Sequence, residues 1–150
     1  MSIEDDVSLL ERVPTFRLLG RDALRVIAIG SEQQDFSRGS VLFREDDLAD
    51  CGYVVQSGAF RISLDGADDH EVMAERGALI GELSLLVAMP RRSTAVAAEY
   101  SSVIRITRSL FQRVLDSDPD AAVRLRDDMA TRMNELASDF VAVKAKLGSS

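Results

Sequence analysis

The feature that most limits the fold of this chain is a change of hydrophobic period near Gln34. Upstream, Val7, Leu9, Leu10 and Val13, then Leu18, Leu19, Leu24, Ile27 and Ala28, recur at helical spacing, and Pro14 is predicted to separate two helical pieces. Downstream the apolar runs are short and β-branched or alternating: Val41–Phe43, Tyr53–Val55, Phe60–Leu64 and Glu71–Met73. Between them stand Arg38-Gly39, Asp46-Asp47, Ser57-Gly58 and Asp65-Gly66, all of them turn chemistry. A second strand-rich stretch, Ser93 to Ile106, follows an apolar interruption at Leu79 to Met89. Strands recurring at about ten-residue spacing predict a compact barrel or roll of antiparallel strands.

From Arg108 the helical period returns. Leu110, Phe111, Val114 and Leu115 mark a short amphipathic piece ending near Asp118-Pro119, and a longer helix is expected from about Asp120 to Lys146. Within the longer helix Met129, Met133, Leu136, Phe140, Val143 and Leu147 alternate steps of four and three. That stripe fits a helix laid on its own domain, or the seam of a homodimer. The 150 residues are therefore expected to form one α+β domain, 1–150, with N-terminal helices, an antiparallel, jelly-roll-like β-roll over about 33–107 and C-terminal helices over about 108–146. A short helix is expected inside the roll.

Composition closes off several function classes. With 46% hydrophobic, 29% charged and 5% aromatic residues the chain is an ordinary globule and not a disordered tail or a disulfide-stapled miniprotein. Eighteen basic against 25 acidic residues, net -7, repel phosphate backbones and anionic lipid, so neither nucleic acid nor membrane is an expected partner. No apolar run reaches the ~20 residues that span a bilayer. The acidic start, Ile3-Glu4-Asp5-Asp6, is unlike a secretory signal, and the single Cys51 fits a reducing compartment, so a cytoplasmic location is expected. Asp68, Asp69, His70 and Glu71 read as a solvated hairpin tip, no zinc spacing accompanies Cys51, and the lone His70 leaves no nucleophile–base pair. No metal, no cofactor and no enzymatic activity are expected.

The informative stretch runs from Ile80 to Val96. Gly81 followed by Leu83 to Ala88 predicts one or two helical turns set between strands, whose unpaired N–H groups attract anions. Arg91 and Arg92 stand where the chain returns to a strand, and an arginine fork grips phosphate with two parallel hydrogen bonds. Glu82, set among Ile80, Leu83, Leu85 and Leu86, needs partners if buried: a ribose hydroxyl or an arginine would serve. Two readings follow. Either the loop holds a small anionic ligand, or Glu82 pairs with Arg91 or Arg92 and no ligand exists.

The same residues carry a resemblance. Gly81-Glu82-Leu83-Ser84-Leu85-Leu86 and Pro90-Arg91-Arg92-Ser93-Thr94-Ala95-Val96 resemble the phosphate-binding cassette of the cyclic nucleotide-binding domain, the family of the catabolite activator protein and the protein kinase A regulatory subunits. Phe36 to Glu45 and Tyr53 to Gly58 resemble its early strands and glycine turns, although Asp46 stands where a turn glycine is usual. The resemblance spans about residues 14 to 145 and implies a stand-alone, bacterial-type member.

On that resemblance the ligand is cAMP or cGMP. Glu82 would accept from the ribose 2′-hydroxyl, Arg92 and the Ser93 hydroxyl would hold the cyclic phosphate, and the backbones of Gly81 and Leu83 would complete the pocket. Arg92 is favoured over Arg91, which becomes a solvated neighbour, because a small hydroxyl residue follows Arg92. Arg132, Asn134 or Ser138 of the last helix would cap the base. The function implied is a non-enzymatic sensor. No helix-turn-helix follows the last helix in this sequence, so the expected partner is a protein effector in trans, with homodimerisation through the C-terminal helix as one route. The alternative is an interaction module that keeps the fold and has lost the ligand.

Overall fold

Ser2 starts the first helix, its hydroxyl accepting from the Asp5 amide while the Asp5 carboxylate accepts from the Ser2 amide. This reciprocal cap satisfies two donors that a helix start leaves open. A computed structural model describes residues 2–64 and 71–132 of the chain. Helix α1 is Ile3–Leu10, α2 is Pro14–Arg17 and α3 is Arg21–Gly30. Pro14 takes the first helical position of α2, where its missing N–H is not needed, and the break expected there is present.

The strands follow as β1 Glu32–Phe36, β2 Val41–Phe43, β3 Leu48–Ala49, β4 Cys51–Ser57, β5 Ala59–Leu64, β6 Glu71–Glu75, β7 Leu79–Ile80, β8 Met89–Pro90, β9 Ser93–Ala97 and β10 Ser101–Thr107. A 3₁₀ turn, Glu82–Leu85, lies between β7 and β8. Every pairing is antiparallel. One four-stranded sheet has the order β1-β10-β4-β7, the other β2-β9-β5-β6, and β3-β8 make a small ribbon. This is the expected α+β fold with an antiparallel roll. Gly58 turns β4 into β5 at φ 78°, where a Cβ would collide with the Ser101 hydroxyl and approach the Tyr100 carbonyl to 2.6 Å.

Alternation along β4 and β10 divides the core. Val54, Ile104 and Ile106 face a cluster built with Val7, Leu10, Phe16, Ile27 and Phe111. Cys51, Tyr53, Val55 and Val103 face the inside of the roll with Phe43, Phe60 and Ala95. Both faces of these strands are buried, which accounts for the apolar run Tyr53-Val54-Val55.

Thr107 caps α4, Arg108–Ser117, by accepting from the Leu110 amide at 3.2 Å. Asp118 does the same for the next helix, accepting from Ala121 at 3.2 Å, and residues 119–132 are helical (α5). The short and longer helices expected from the sequence are both present to this point. Met129 of the expected seam is half-buried against its own domain's helical cluster. Met133, Leu136, Phe140, Val143 and Leu147 lie outside the described residues.

Candidate functional site

The site begins where β7 ends. Gly81 takes φ 80° and ψ 40°, the left-handed region that costs a glycine nothing, and turns the chain into the 3₁₀ segment. A Cβ there would run into Nη1 of Arg91. The helical turn expected after Gly81 is thus a single 3₁₀ turn of four residues, too short to supply much dipole. Charge at the site comes from side chains instead.

Arg91 is held inward by its own backbone. Leu48–Ala49 pair with Met89–Pro90, and beyond that ribbon the Asp46 amide donates to the Arg91 carbonyl while the Arg91 amide donates to the Asp47 carbonyl, both at 2.8 Å. The side chain is only 6% exposed. Its Nη2 donates to the Cys51 carbonyl at 2.8 Å and lies 3.4 Å from Cys51 Sγ, and Nη1 reaches the Ser84 hydroxyl at 3.4 Å. The guanidinium carbon lies 4.3 Å from the centre of the Phe43 ring and 5.5 Å from that of Tyr53. Burial, reinforced by the neighbouring Cys51, pushes the Tyr53 hydroxyl up to about 12, so it stays neutral and offers no counter-charge. Among the described residues no carboxylate pairs with Arg91. A buried cation without an anion is costly, by several kcal/mol even after relaxation.

Glu82 is the opposite case. Its Oε1 accepts from the Thr15 hydroxyl at 2.8 Å and from Nη2 of Arg132 at 2.7 Å. Burial alone would raise this carboxyl, but the hydrogen bonds from Arg132 and Thr15 outweigh it and hold the group below the usual carboxylate range. Arg132 also places Nε 3.1 Å from Asp128 Oδ2, four residues back on α5, as an ion pair whose N–H is not aligned for a hydrogen bond.

Arg91 and Glu82 border a cleft of about 270 Å³. Gly81, Glu82, Leu83, Arg92 and Ser93, the residues singled out from the sequence, all line it, together with Arg91, Ser84 and an apolar wall that includes Phe43, Ile62 and Leu79. The two arginines sit differently. Arg91, expected as a solvated neighbour, is the buried one, whereas Arg92 is exposed and no hydrogen bond or ion pair among the described residues engages it. Arg132 reaches Glu82, and Asn134 and Ser138, the other base-capping candidates, lie outside the described residues. Thr15 was not foreseen. It lies 67 residues from Glu82, and no local spacing signals such a pair.

The cassette is also tied to α4. Arg108, its first residue, donates to the Ser84 carbonyl at 3.0 Å and to the Ala49 carbonyl. Among the described residues no cluster of three metal-ligating side chains occurs and no helix is long and apolar enough to cross a membrane.

Comparison with known proteins agrees with this geometry. The family model of the cyclic nucleotide-binding domain matches residues 33–118. A cGMP-dependent protein kinase of Toxoplasma gondii is 31% identical over 106 residues, covering 71% of this chain and 10% of the kinase. A cAMP-dependent protein kinase regulatory subunit of Eremothecium gossypii is 32% identical over 133 residues, 88% of this chain and 28% of the subunit. The chain thus spans a minor part of these curated relatives. Among solved structures, a cyclic nucleotide-binding-like protein from Brucella abortus superposes with a TM-score of 0.65 at 36% identity, covering 75% of this chain and 98% of that one. A family match over more than half the chain, on a roll that brings cassette, arginines and carboxylate to one cleft, places this chain in the cyclic nucleotide-binding domain family, a family of regulatory binding domains.

Proposed function

We propose that the chain is a non-enzymatic sensor of cAMP or cGMP that acts in the cytoplasm on a protein effector in trans. The observation that carries this reading is the Arg91 guanidinium, buried beside Gly81 and Ser84 with only neutral partners. A cyclic phosphate supplies the missing anion. In this reading the phosphate sits on Arg91, the Ser93 hydroxyl and the Gly81 and Leu83 backbone, with Arg92 as a second cation at the rim. Glu82 accepts from the ribose 2′-hydroxyl and the purine lies along the apolar wall.

Signalling is a population shift. Ligand contacts draw the cassette inward, and α4 follows through Arg108, which holds the Ser84 carbonyl. The shift is no larger than the ligand's differential affinity for the two states. Homodimerisation through the C-terminal helix is the proposed route to the effector.

A second reading, a ligand-free interaction module, is favoured by one observation: Glu82 already has Thr15 and Arg132 as partners. Calorimetric titration with cAMP and cGMP separates the two. The sensor predicts saturable binding, weakened about tenfold or more in Arg91→Ala, as loss of a charge-assisted hydrogen bond implies, and less in Arg92→Ala. Absence of heat and of any thermal shift at millimolar nucleotide leaves the interaction module.

A further inference from the structure

We infer that Thr15 is a positioning residue for the ribose-binding carboxylate, acting through Glu82 without touching the ligand; this rests on the sensor reading. The two oxygens of Glu82 are treated unequally. Oε1 takes both Thr15 Oγ1, at 2.8 Å, and Arg132 Nη2, at 2.7 Å, and among the described residues no hydrogen bond reaches Oε2. A carboxylate has about four acceptor sites, so an anchored Oε1 leaves Oε2 with its full capacity for a donor from the cleft. Glu82 lines that cleft and Thr15 does not.

The two anchors differ in stiffness. Arg132 is a long side chain, 43% exposed, on the surface of α5. Thr15 is 5% exposed, follows Pro14 in the first turn of α2, and has one β-branched torsion. Its neighbour Phe16 is fully buried, with its ring 5.9 Å from that of Phe111 in α4. The hydroxyl is therefore carried by a packed element, the condition for holding a binding group in one geometry. Without it Glu82 keeps only the flexible anchor and loses orientation toward a hydroxyl donor.

The experiment compares cAMP and cGMP with their 2′-deoxy analogues, by calorimetry, on the wild-type chain and on Thr15→Val, Thr15→Ser and Thr15→Ala. Thr15→Val keeps the shape and removes the hydroxyl. The expected result is a fall of about three- to tenfold in affinity for the parent nucleotide, no change for the 2′-deoxy analogue, and wild-type behaviour in Thr15→Ser. Thr15→Ala gives the same pattern should Thr15→Val melt below the assay temperature. Equal weakening of both ligands assigns Thr15 a purely structural role and overturns the inference, as does unchanged or tighter binding of the parent nucleotide. In those cases the sensor stands. A wild-type chain that binds none of the four ligands overturns the sensor reading and this inference together.

Discussion

Asp46 and Arg91 are joined by a backbone hydrogen bond of 2.8 Å, and Asp46 makes it from the left-handed region, at φ 73°. It is the one residue other than glycine with positive φ among those described. Left-handed backbone costs an L-residue roughly 1–2 kcal/mol, less for Asp because its short polar side chain bonds locally. Asp46→Gly should therefore raise stability by up to about 1 kcal/mol, and Asp46→Val should lower it by about 1–2 kcal/mol. Denaturant unfolding measures both. Because the bond fixes the backbone of Arg91, in the link between β8 and β9, the valine variant should also weaken nucleotide binding.

Arg91 sets ligand binding against stability. Replacing an unpaired buried cation by an apolar side chain of similar length removes its desolvation cost, so Arg91→Met should melt at or above the wild-type temperature in the absence of nucleotide. The same variant should show a smaller nucleotide-induced thermal shift than the wild type at equal nucleotide. A large loss of stability in Arg91→Met would mean that its bonds to Cys51 and Ser84, and not a ligand, explain its burial.

Glu82 makes stability depend on pH in a defined direction. Its folded carboxyl lies below the ordinary value near 4.5, so the unfolded chain binds the proton more readily. The stabilisation is complete above about 4.5 and is lost as pH falls through the lower folded value. Glu82→Gln should flatten that part of the profile and lower the neutral-to-alkaline plateau, the two proteins converging only at the acid end. Melting curves between pH 3 and 7, taken as roughly the carboxylate range, read the difference.

Gly58 and Gly81 should respond differently to alanine. At Gly58 a Cβ meets Ser101 and the Tyr100 carbonyl, so Gly58→Ala should cost about 3 kcal/mol or more through strain and overpacking. At Gly81 the obstruction is the end of the Arg91 side chain, which can move. Gly81→Ala should cost less stability, about 1–2 kcal/mol from backbone strain, and a larger share of nucleotide affinity. Unfolding and titration on the same two variants give both numbers.

The roll was legible in the sequence where side chains alternate or turns interrupt. Pro14, the β4 and β5 runs and the Ser57-Gly58 turn each carried their local signal into the structure. Strand β1, Glu-Gln-Gln-Asp-Phe, carried none, because its pairing with β10 is made by backbone groups under polar side chains. The two-residue strands β3, β7 and β8 are too short for any period to show. At the site, the cassette motif brought Gly81, Glu82, Leu83, Arg92 and Ser93 together on the page as they are in space. Which arginine turns inward was not legible, since that depends on the Asp46-Asp47 turn gripping the Arg91 backbone from 44 and 45 positions away. The Thr15–Glu82 bond is hidden for the same reason. It joins a helix and a roll that meet only once the chain has folded.

Strands β4 and β10 are a party wall. Val54 and Val55 are adjacent in the chain, yet one belongs to the helical room and the other to the interior of the roll. A reshaped side chain on the Val54 side is therefore one peptide unit away from the packing behind the cleft, where Phe43 and Ile80 belong both to the inner cluster and to the cleft's lining, without ever entering it. Val54, Ile104 and Ile106 are fully enclosed on the helical face, so only a label the size of a methyl group fits there, in the same cluster as Phe111 of α4, the element proposed to move.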